Sequence, residues 1–139
     1  MKITDTYMIA YISVSFKKRD QLDRELDSLI RVLNDFRITP FIFVDHYQFN
    51  QAEERLMMQQ AMNDIDKCAM LIAETSDKAI GIGIEAGYAK AKGKPVIYLR
   101  SSTADHSTTL SGISDFHIVY TDVNDLERQF RDIIPRIPR

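Results

Sequence analysis

The sequence predicts an α/β protein with a three-layer, Rossmann-like or flavodoxin-like fold around a five-stranded, mainly parallel sheet. Short, continuous apolar runs alternate along the chain with segments of helical, amphipathic periodicity. Runs of this kind are typical of strands buried on both faces, as in parallel sheets covered by helices. No linker, repeat or low-complexity stretch divides the 139 residues, so a single domain over residues 1–139 is expected.

Five apolar runs are predicted as strands. They lie at residues 7–14, 38–44, 69–73, 95–99 and 116–120. The first reads YMIAYISV and is rich in residues that favour strands. The second contains Pro40, which fits only near the start of a strand or on a sheet edge.

Four helices are predicted between and after these strands, at residues 18–36, 51–67, 83–92 and 122–134. In the first, apolar residues recur at helical spacing among charged ones. Gly93 is the expected end of the third helix, and Asp122 or Asn124 is the expected N-cap of the fourth. Residues 45–50 (DHYQFN) and the stretch after the third strand are predicted as loops.

Composition limits the classes of partner. The net charge of −2 gives no long-range attraction to nucleic acid or to an anionic membrane. Cys68 is the only cysteine, which excludes an intramolecular disulfide and a CxxC-type metal site, and it is expected in the core. The residues indicate no cofactor. The first apolar run is too short to span a bilayer and lacks the features of a signal peptide, so a cytoplasmic protein is expected.

In an open parallel sheet, ligands bind beyond the carboxyl ends of the strands. That rule selects residues 13–17, 45–49, 74–83 and 100–109. Within or beside these segments, polar side chains are candidates for binding a phosphate or another polar group of a ligand. They are Ser13, Ser15, Lys17, Arg19 and Arg100.

The segment AIGIGIEAGYAKAKGKP (residues 79–95) places a single acid, Glu85, among small and apolar residues. Gly81 and Gly83 are predicted in the turn before the third helix, where the backbone can approach a ligand closely. This is no dinucleotide fingerprint, since Ala86 stands where GxGxxG requires glycine. Glu85 is predicted in the first turn, where the helix dipole favours a negative charge by about 0.3–1 kcal/mol. It is either a catalytic carboxylate or an acid that merely suits the dipole.

The same segment resembles the core of the nucleoside 2-deoxyribosyltransferase family, which includes the deoxynucleoside 5′-monophosphate N-glycosidases. The family pattern G-x-G-x-E-x-G-x-A is matched position for position, by Gly81, Gly83, Glu85, Gly87 and Ala89. The resemblance implies that Glu85 is the nucleophile that attacks C1′ of the sugar. It also implies that Tyr11 in the first strand assists that glutamate.

Other parts of the chain resemble the family less strongly. Asp45 and His46 match the loop that faces the base. Ser107 and Thr109 correspond to residues that reach a neighbouring subunit's site, so the resemblance implies a homodimer or a larger homo-oligomer.

The chain also departs from the family pattern. Ala61 and Ala79 stand where the family has polar residues, and no glycine follows the first strand. The proton donor is therefore open among Asp64, Asp66, Asp77 and His46, of which Asp64 and Asp77 are the candidates retained as catalytic.

The expected function is cleavage or transfer of the N-glycosidic bond of a nucleoside, a deoxynucleoside or a 5′-monophosphate. Two alternatives remain. The N-terminal stretch AYISVSFKKRDQL also resembles TIR domains, some of which cleave NAD with a glutamate on a corresponding helix. The third hypothesis is a domain that binds or senses nucleotides without catalysis, which Ala61 and Ala79 favour.

Overall fold

The computed structural model describes residues 8–138 and contains one five-stranded sheet. Its strands are β1 (Met8–Ser13), β2 (Ile38–Ile42), β3 (Met70–Glu74), β4 (Val96–Ser101) and β5 (Phe116–Tyr120). Their order is β2-β1-β3-β4-β5, and every neighbouring pair is parallel. The flavodoxin-like prediction is confirmed, and the sheet expected to be mainly parallel is parallel throughout. Tyr7, predicted to begin the first strand, lies outside the described residues.

Six α-helices accompany the sheet. They are α1 (Asp23–Asp35), α2 (Phe43–His46), α3 (Glu54–Asp66), α4 (Ile80–Ala91), α5 (Thr108–Ile113) and α6 (Val123–Ile133). The core has two halves, one on each face of the sheet. Side chains of α1 and α6 contribute to the first, and those of α3, α4 and α5 to the second. Alternate residues along β1 divide between the halves: Ile12 lies in the first and Tyr11 in the second. This is the predicted three-layer arrangement.

Two boundaries in the first half of the chain differ from the prediction. The helix expected at 18–36 is a 3-10 turn (Phe16–Gln21) followed by α1. The strand expected to reach residue 44 ends at Ile42, and α2 replaces the first part of the predicted loop. Phe43 is a residue type that favours strands, but here it packs into the core from the short helix α2. A 3-10 turn (Gln51–Glu53) likewise precedes α3.

The start of α4 is the correction that matters most for the site. The helix begins at Ile80, so Gly81 and Gly83 lie inside it and not in the preceding loop. Glu85 is consequently in the second turn, beyond the range over which the helix dipole acts strongly. Ile82, Ala86 and Ala89 are buried along one stripe of α4, and this packing stabilises a helix that its three glycines disfavour. Gly93, at φ 75°, lies just beyond its end as predicted.

Two smaller predictions are confirmed. The Asp122 side chain accepts a hydrogen bond from the main-chain N–H of Asp125 and is the N-cap of α6. Cys68 is buried in the half of the core beneath α3 and α4, and burial raises the pKa of its thiol to about 12. Among residues 8–138, none of the helices has the length and apolar character needed to cross a membrane.

Candidate active site

The candidate site lies where the order of the strands reverses. The chain places β2 on one side of β1 and β3 on the other, which makes the carboxyl ends of β1 and β3 the switch point. In open α/β sheets this position forms a crevice that binds ligands. β1 ends there with Tyr11 and Ser13, two residues apart and therefore on the same face of the sheet. That face is covered by α4.

Glu85 extends from α4 to these two side chains. The Tyr11 hydroxyl donates a hydrogen bond to Glu85 Oε2, and Ser13 Oγ donates to Glu85 Oε1 over 2.5 Å. Tyr11 is fully buried, Ser13 is nearly so, and Glu85 is half-buried. Both carboxylate oxygens are thus held by hydroxyl groups of β1. These two hydrogen bonds favour the charged form of Glu85, whereas the prediction assigned that effect to the dipole of the first helical turn.

Two opposing effects set the charge of Glu85. Burial raises its pKa above the ordinary value, whereas the hydrogen bonds from Ser13 and Tyr11 act to lower it. Among residues 8–138, no lysine, arginine or histidine forms an ion pair with it. Burial and the charge of Glu85 also raise the pKa of Tyr11, so its phenol stays protonated and is a donor, not a base.

A second carboxylate lies beside this group. Ser15 Oγ donates to Asp77 Oδ2 over 2.6 Å, which fastens the segment between β3 and α4 to the end of β1. Ser13 and Ser15 are two residues apart, which corresponds to about 7 Å between Cα atoms in extended chain. Asp77, one of the predicted proton donors, is therefore held in the neighbourhood of Glu85.

Asp64, the other retained proton donor, lies deeper. Its side chain on α3 is 8% exposed, and Oδ1 accepts a hydrogen bond of 3.0 Å from Gln60. Its Oδ2 is buried, with no hydrogen-bond partner among the described residues. Asp64 also contributes, after burial and Glu85, to the raised pKa of Tyr11. By contrast, Asp66 is exposed and accepts from Tyr88, one turn beyond Glu85 on α4.

An aromatic group borders the site on the β2 side. Phe41 and Phe43 contact the Tyr11 ring, with centroids 5.8 and 6.0 Å away, and Tyr47 and Phe49 pack against Phe43. His46 stacks on Phe41 at 4.3 Å, and its Nδ1 lies 2.9 Å from the Ile42 carbonyl oxygen.

Two of the predicted binding residues near this group are engaged with each other. Both Asp45 oxygens accept hydrogen bonds from the Arg19 guanidinium, at 2.8 and 2.9 Å. Arg19 also donates to Asp23. Arg19, one of the cations predicted to bind a phosphate, is therefore already bound by two carboxylates.

The other side of α4 borders an apolar cavity of about 530 Å³ between α4 and α5. Ile80 and Ile84 contribute to its lining and are 85% and 51% exposed. Gly83, Ser107 and Thr109 also line it. Ser107 caps α5, and Thr109 is exposed. The structure therefore places Ser107 and Thr109 across α4 from the Glu85 carboxylate, which points toward β1.

Three predicted binding residues remain, of which Lys17 is exposed on the 3-10 turn that follows β1. The Arg100 guanidinium donates to the carbonyl oxygens of Ser101 and Ala104, and its Nε is buried without a partner among residues 8–138. A Cβ added at Gly81 would meet nothing within 4 Å, so open space lies beside α4 one turn before Glu85. The binding roles predicted for these residues stay predictions.

Two further features of the structure were not predicted from the sequence. The first is the bond from Ser13 to Glu85, which the alternation of side chains along β1 could have indicated once α4 was placed on that face. The second is a buried network on the opposite face of the sheet. Glu74, 1% exposed, accepts from the Tyr120 hydroxyl and from the main-chain N–H of Ser76, both over 2.6 Å. Burial raises the pKa of Glu74, and the hydrogen bonds oppose that effect.

A comparison with known protein families gives a match over most of the chain. The sequence model of the family described as nucleoside 2-deoxyribosyltransferase matches residues 11–127, which include Tyr11 and Glu85. None of the curated proteins matches the chain. The family match covers the switch point, both faces of the sheet and all of α4.

Several solved structures share the fold at low sequence identity. A CMP N-glycosidase from Clostridium botulinum has a TM-score of 0.64 and 17% identity, covering 87% of this chain and 96% of its own. A 2-deoxyribosyltransferase from Bacillus psychrosaccharolyticus has a TM-score of 0.64 and 19% identity over 86% and 90% of the two chains. One from Leishmania mexicana has a TM-score of 0.61 and 15% identity over 90% and 97%.

Proposed function

The chain belongs to the nucleoside 2-deoxyribosyltransferase family, and from that premise we propose that it breaks the N-glycosidic bond of a nucleoside or nucleotide through Glu85. The observation that carries this proposal is the position of one carboxylate. Glu85 is half-buried at the switch point, and the hydroxyls of Tyr11 and Ser13 hold both of its oxygens. A carboxylate oriented in this way is suited to attack an anomeric carbon.

The proposed reaction has two steps. In the first, a Glu85 oxygen forms a bond to C1′ while the C1′–N bond breaks, and its electron pair leaves with the base. In the second, water or another base attacks C1′ and gives a proton to the carboxylate that protonated the departing base, while the glutamate leaves as a carboxylate. The Tyr11 hydroxyl assists this second step because its hydrogen bond stabilises the charge that returns to Glu85.

The departing base requires a proton, and Asp77 and Asp64 are the candidate donors. Asp77 is favoured by its attachment to Ser15, about 7 Å along the chain from Ser13. Asp64 is supported by its buried oxygen, which has no partner among residues 8–138, but its side chain is only 8% exposed.

The aromatic group formed by Phe41, Phe43, His46, Tyr47 and Phe49 is the proposed neighbour of the base. Aromatic side chains can stack on any of the nucleobases. This proposal leaves the choice of base to the polar groups nearby, among which Asp45 is already bound to Arg19.

We also infer that two copies of the chain associate through the surface around Ile80 and Ile84. Side chains of this kind are seldom exposed together without a partner, and here they line a cavity. Ser107 and Thr109 lie in the same surface, consistent with their predicted role at a neighbouring subunit's site. Sedimentation of wild type and Ile80→Asp distinguishes a dimer, which the substitution dissociates, from a monomer, which it leaves unchanged.

The activity is tested by incubating the protein with deoxynucleosides, their 5′-monophosphates and NAD, and measuring the released base by chromatography. Release from a nucleoside or monophosphate that is lost in Glu85→Gln supports the proposal. Addition of a second base separates transfer from hydrolysis. Release of nicotinamide alone would favour an NAD glycohydrolase. Saturable binding without release from any substrate would favour a nucleotide sensor.

A further inference from the structure

Ser13, at the end of β1, donates a hydrogen bond to the proposed nucleophile. Its hydroxyl lies 2.5 Å from Glu85 Oε1, and its side chain is 2% exposed. A serine hydroxyl has one proton. In this geometry the proton is donated to the glutamate and is not available to a ligand phosphate. The contact therefore serves the carboxylate.

We propose that Ser13 is a positioning residue, which fixes the plane of the Glu85 carboxylate and keeps that carboxylate ionised. The inference rests on the proposed function of Glu85 and extends it to a residue that does not touch the reacting atoms. Tyr11 holds Oε2 and Ser13 holds Oε1, so rotation of the carboxylate about its last side-chain bond would break two hydrogen bonds. Each oxygen retains a further lone pair, which is free to attack.

The charge of Glu85 is not balanced by an ion pair with any cation of residues 8–138. Burial raises the pKa of Glu85. The two hydroxyls are neutral donors that favour the charged form. Because no nearby cation compensates, removal of either donor shifts the equilibrium toward the protonated acid, which cannot attack.

The other titratable groups in this region would not replace Ser13. Asp64 on α3 and Asp77 before α4 are carboxylates, and a further negative charge disfavours ionisation of Glu85. Tyr11 on β1 is already bonded to Oε2. His46 on α2 stacks on Phe41, and its Nδ1 lies 2.9 Å from the Ile42 carbonyl oxygen. Tyr88 on α4 donates to Asp66.

The inference predicts that Ser13→Ala raises the pKa of Glu85. The pKa is measured by NMR of protein with ¹³C-labelled glutamate carboxyl groups, with the Glu85 resonance assigned by its loss in Glu85→Gln. In the same variant, the acidic limb of the pH profile of kcat/KM shifts to higher pH. At neutral pH kcat falls by about tenfold, the effect of one hydrogen bond to a charged group, whereas KM changes little.

Two further variants provide controls. Ser13→Thr retains a hydroxyl at the same position, and the Glu85 pKa and kcat return toward the wild-type values. Ser28→Ala removes another fully buried serine, on α1 across the sheet, which donates to Glu127. It leaves both quantities unchanged and shows that loss of a buried hydroxyl is not by itself sufficient.

The NMR titration needs no turnover, so it separates this inference from the proposed function. A raised Glu85 pKa in Ser13→Ala, with no base released by the wild type, would retain the positioning role and contradict the glycosidase proposal. An unchanged Glu85 pKa would overturn the inference. So would a Ser13→Ala variant in which KM rises and kcat is preserved, because Ser13 would then bind substrate.

Discussion

Two tyrosine–glutamate pairs lie on opposite faces of the same sheet. Tyr11 on β1 donates to Glu85 on α4, and Tyr120 on β5 donates to Glu74 at the end of β3. In each pair a second donor binds the other carboxylate oxygen. Burial raises the pKa of both glutamates. The chemical groups are the same, so the surroundings must distinguish their roles.

The difference lies in access and in what each pair connects. Glu74 is 1% exposed. Its partners, Ser76 and Tyr120, connect the segment after β3 to β5. Ser76 Oγ also accepts a hydrogen bond from the Ser101 N–H. Glu85 is half-buried at the switch point, one turn beyond the exposed Gly81. A tyrosine-held carboxylate is therefore not in itself a signature of catalysis. Its position relative to the strand order and to solvent supports the catalytic assignment.

The largest expected difference between the pairs is in activity. Glu85→Gln removes the proposed nucleophile and should lower the rate of base release by at least about 10³-fold. Glu74→Gln changes a buried residue on the opposite face of the sheet, here called the closed face, and should retain activity of the same order as wild type. Both rates are measured per mole of folded protein, determined by circular dichroism. Equal losses in the two variants would contradict the distinction.

The tyrosines should separate activity from stability. Tyr11→Phe removes a hydrogen bond to the reacting carboxylate and should lower kcat by about 10- to 100-fold, as expected for a bond to a charged group. Tyr120→Phe leaves a buried Glu74 oxygen without its donor and should lower the free energy of unfolding by about 1–3 kcal/mol. Denaturant unfolding and base release, measured on both variants, test this. A large loss of kcat in Tyr120→Phe would argue against it.

A smaller effect is expected at Ser76. Its hydroxyl contacts the Tyr120 hydroxyl at 3.1 Å and accepts from the Ser101 N–H at 3.0 Å, both on the closed face. Ser76→Ala should lower the free energy of unfolding by about 0.5–1.5 kcal/mol, the net value of one ordinary hydrogen bond. Urea denaturation measures the change. An increase in stability would show that the network does not stabilise the fold.

The smallest expected effect is a change in the pH dependence of stability. Because burial raises the pKa of Glu74 above its ordinary value of 4.5, the folded state keeps this proton to higher pH than the unfolded chain. The resulting stabilisation is complete below pH 4.5 and is lost as the pH rises through the folded pKa. Relative to wild type, Glu74→Gln should therefore become more stable as the pH rises. Unfolding free energies from pH 4 to 8 test this trend, and the opposite trend would contradict it.

Much of the fold could be predicted from the sequence. The five strands are continuous apolar runs, and alternation with helices predicts a parallel sheet. The start of α4 was predicted three residues late, because Gly81 and Gly83 disfavour a helix locally and only packing of Ile82 and Ala86 on the sheet stabilises it. The helix at Phe43 was missed for the converse reason, since its side chains favour strands.

The candidate site was predicted only in part. Glu85 and Tyr11 came from the family resemblance, and the structure brings them into contact. The bond from Ser13 to Glu85 joins residues 72 positions apart. It depends on which face of β1 lies beneath α4, which a single sequence does not encode locally. The Glu74 network was missed for the same reason.

The most direct test of the central claim is to trap the sugar on Glu85. A 2-deoxy-2-fluoroarabinosyl nucleoside is suited to this, because fluorine slows breakdown of a glycosyl ester through its oxocarbenium-like transition state. Tryptic peptide 79–90 contains Glu85 as its only carboxylate side chain, whereas peptide 68–78 contains Glu74 and Asp77. If Glu85 is the nucleophile, mass spectrometry finds the fluorosugar on peptide 79–90. Base release with that peptide unmodified, or with the sugar on peptide 68–78, would contradict it.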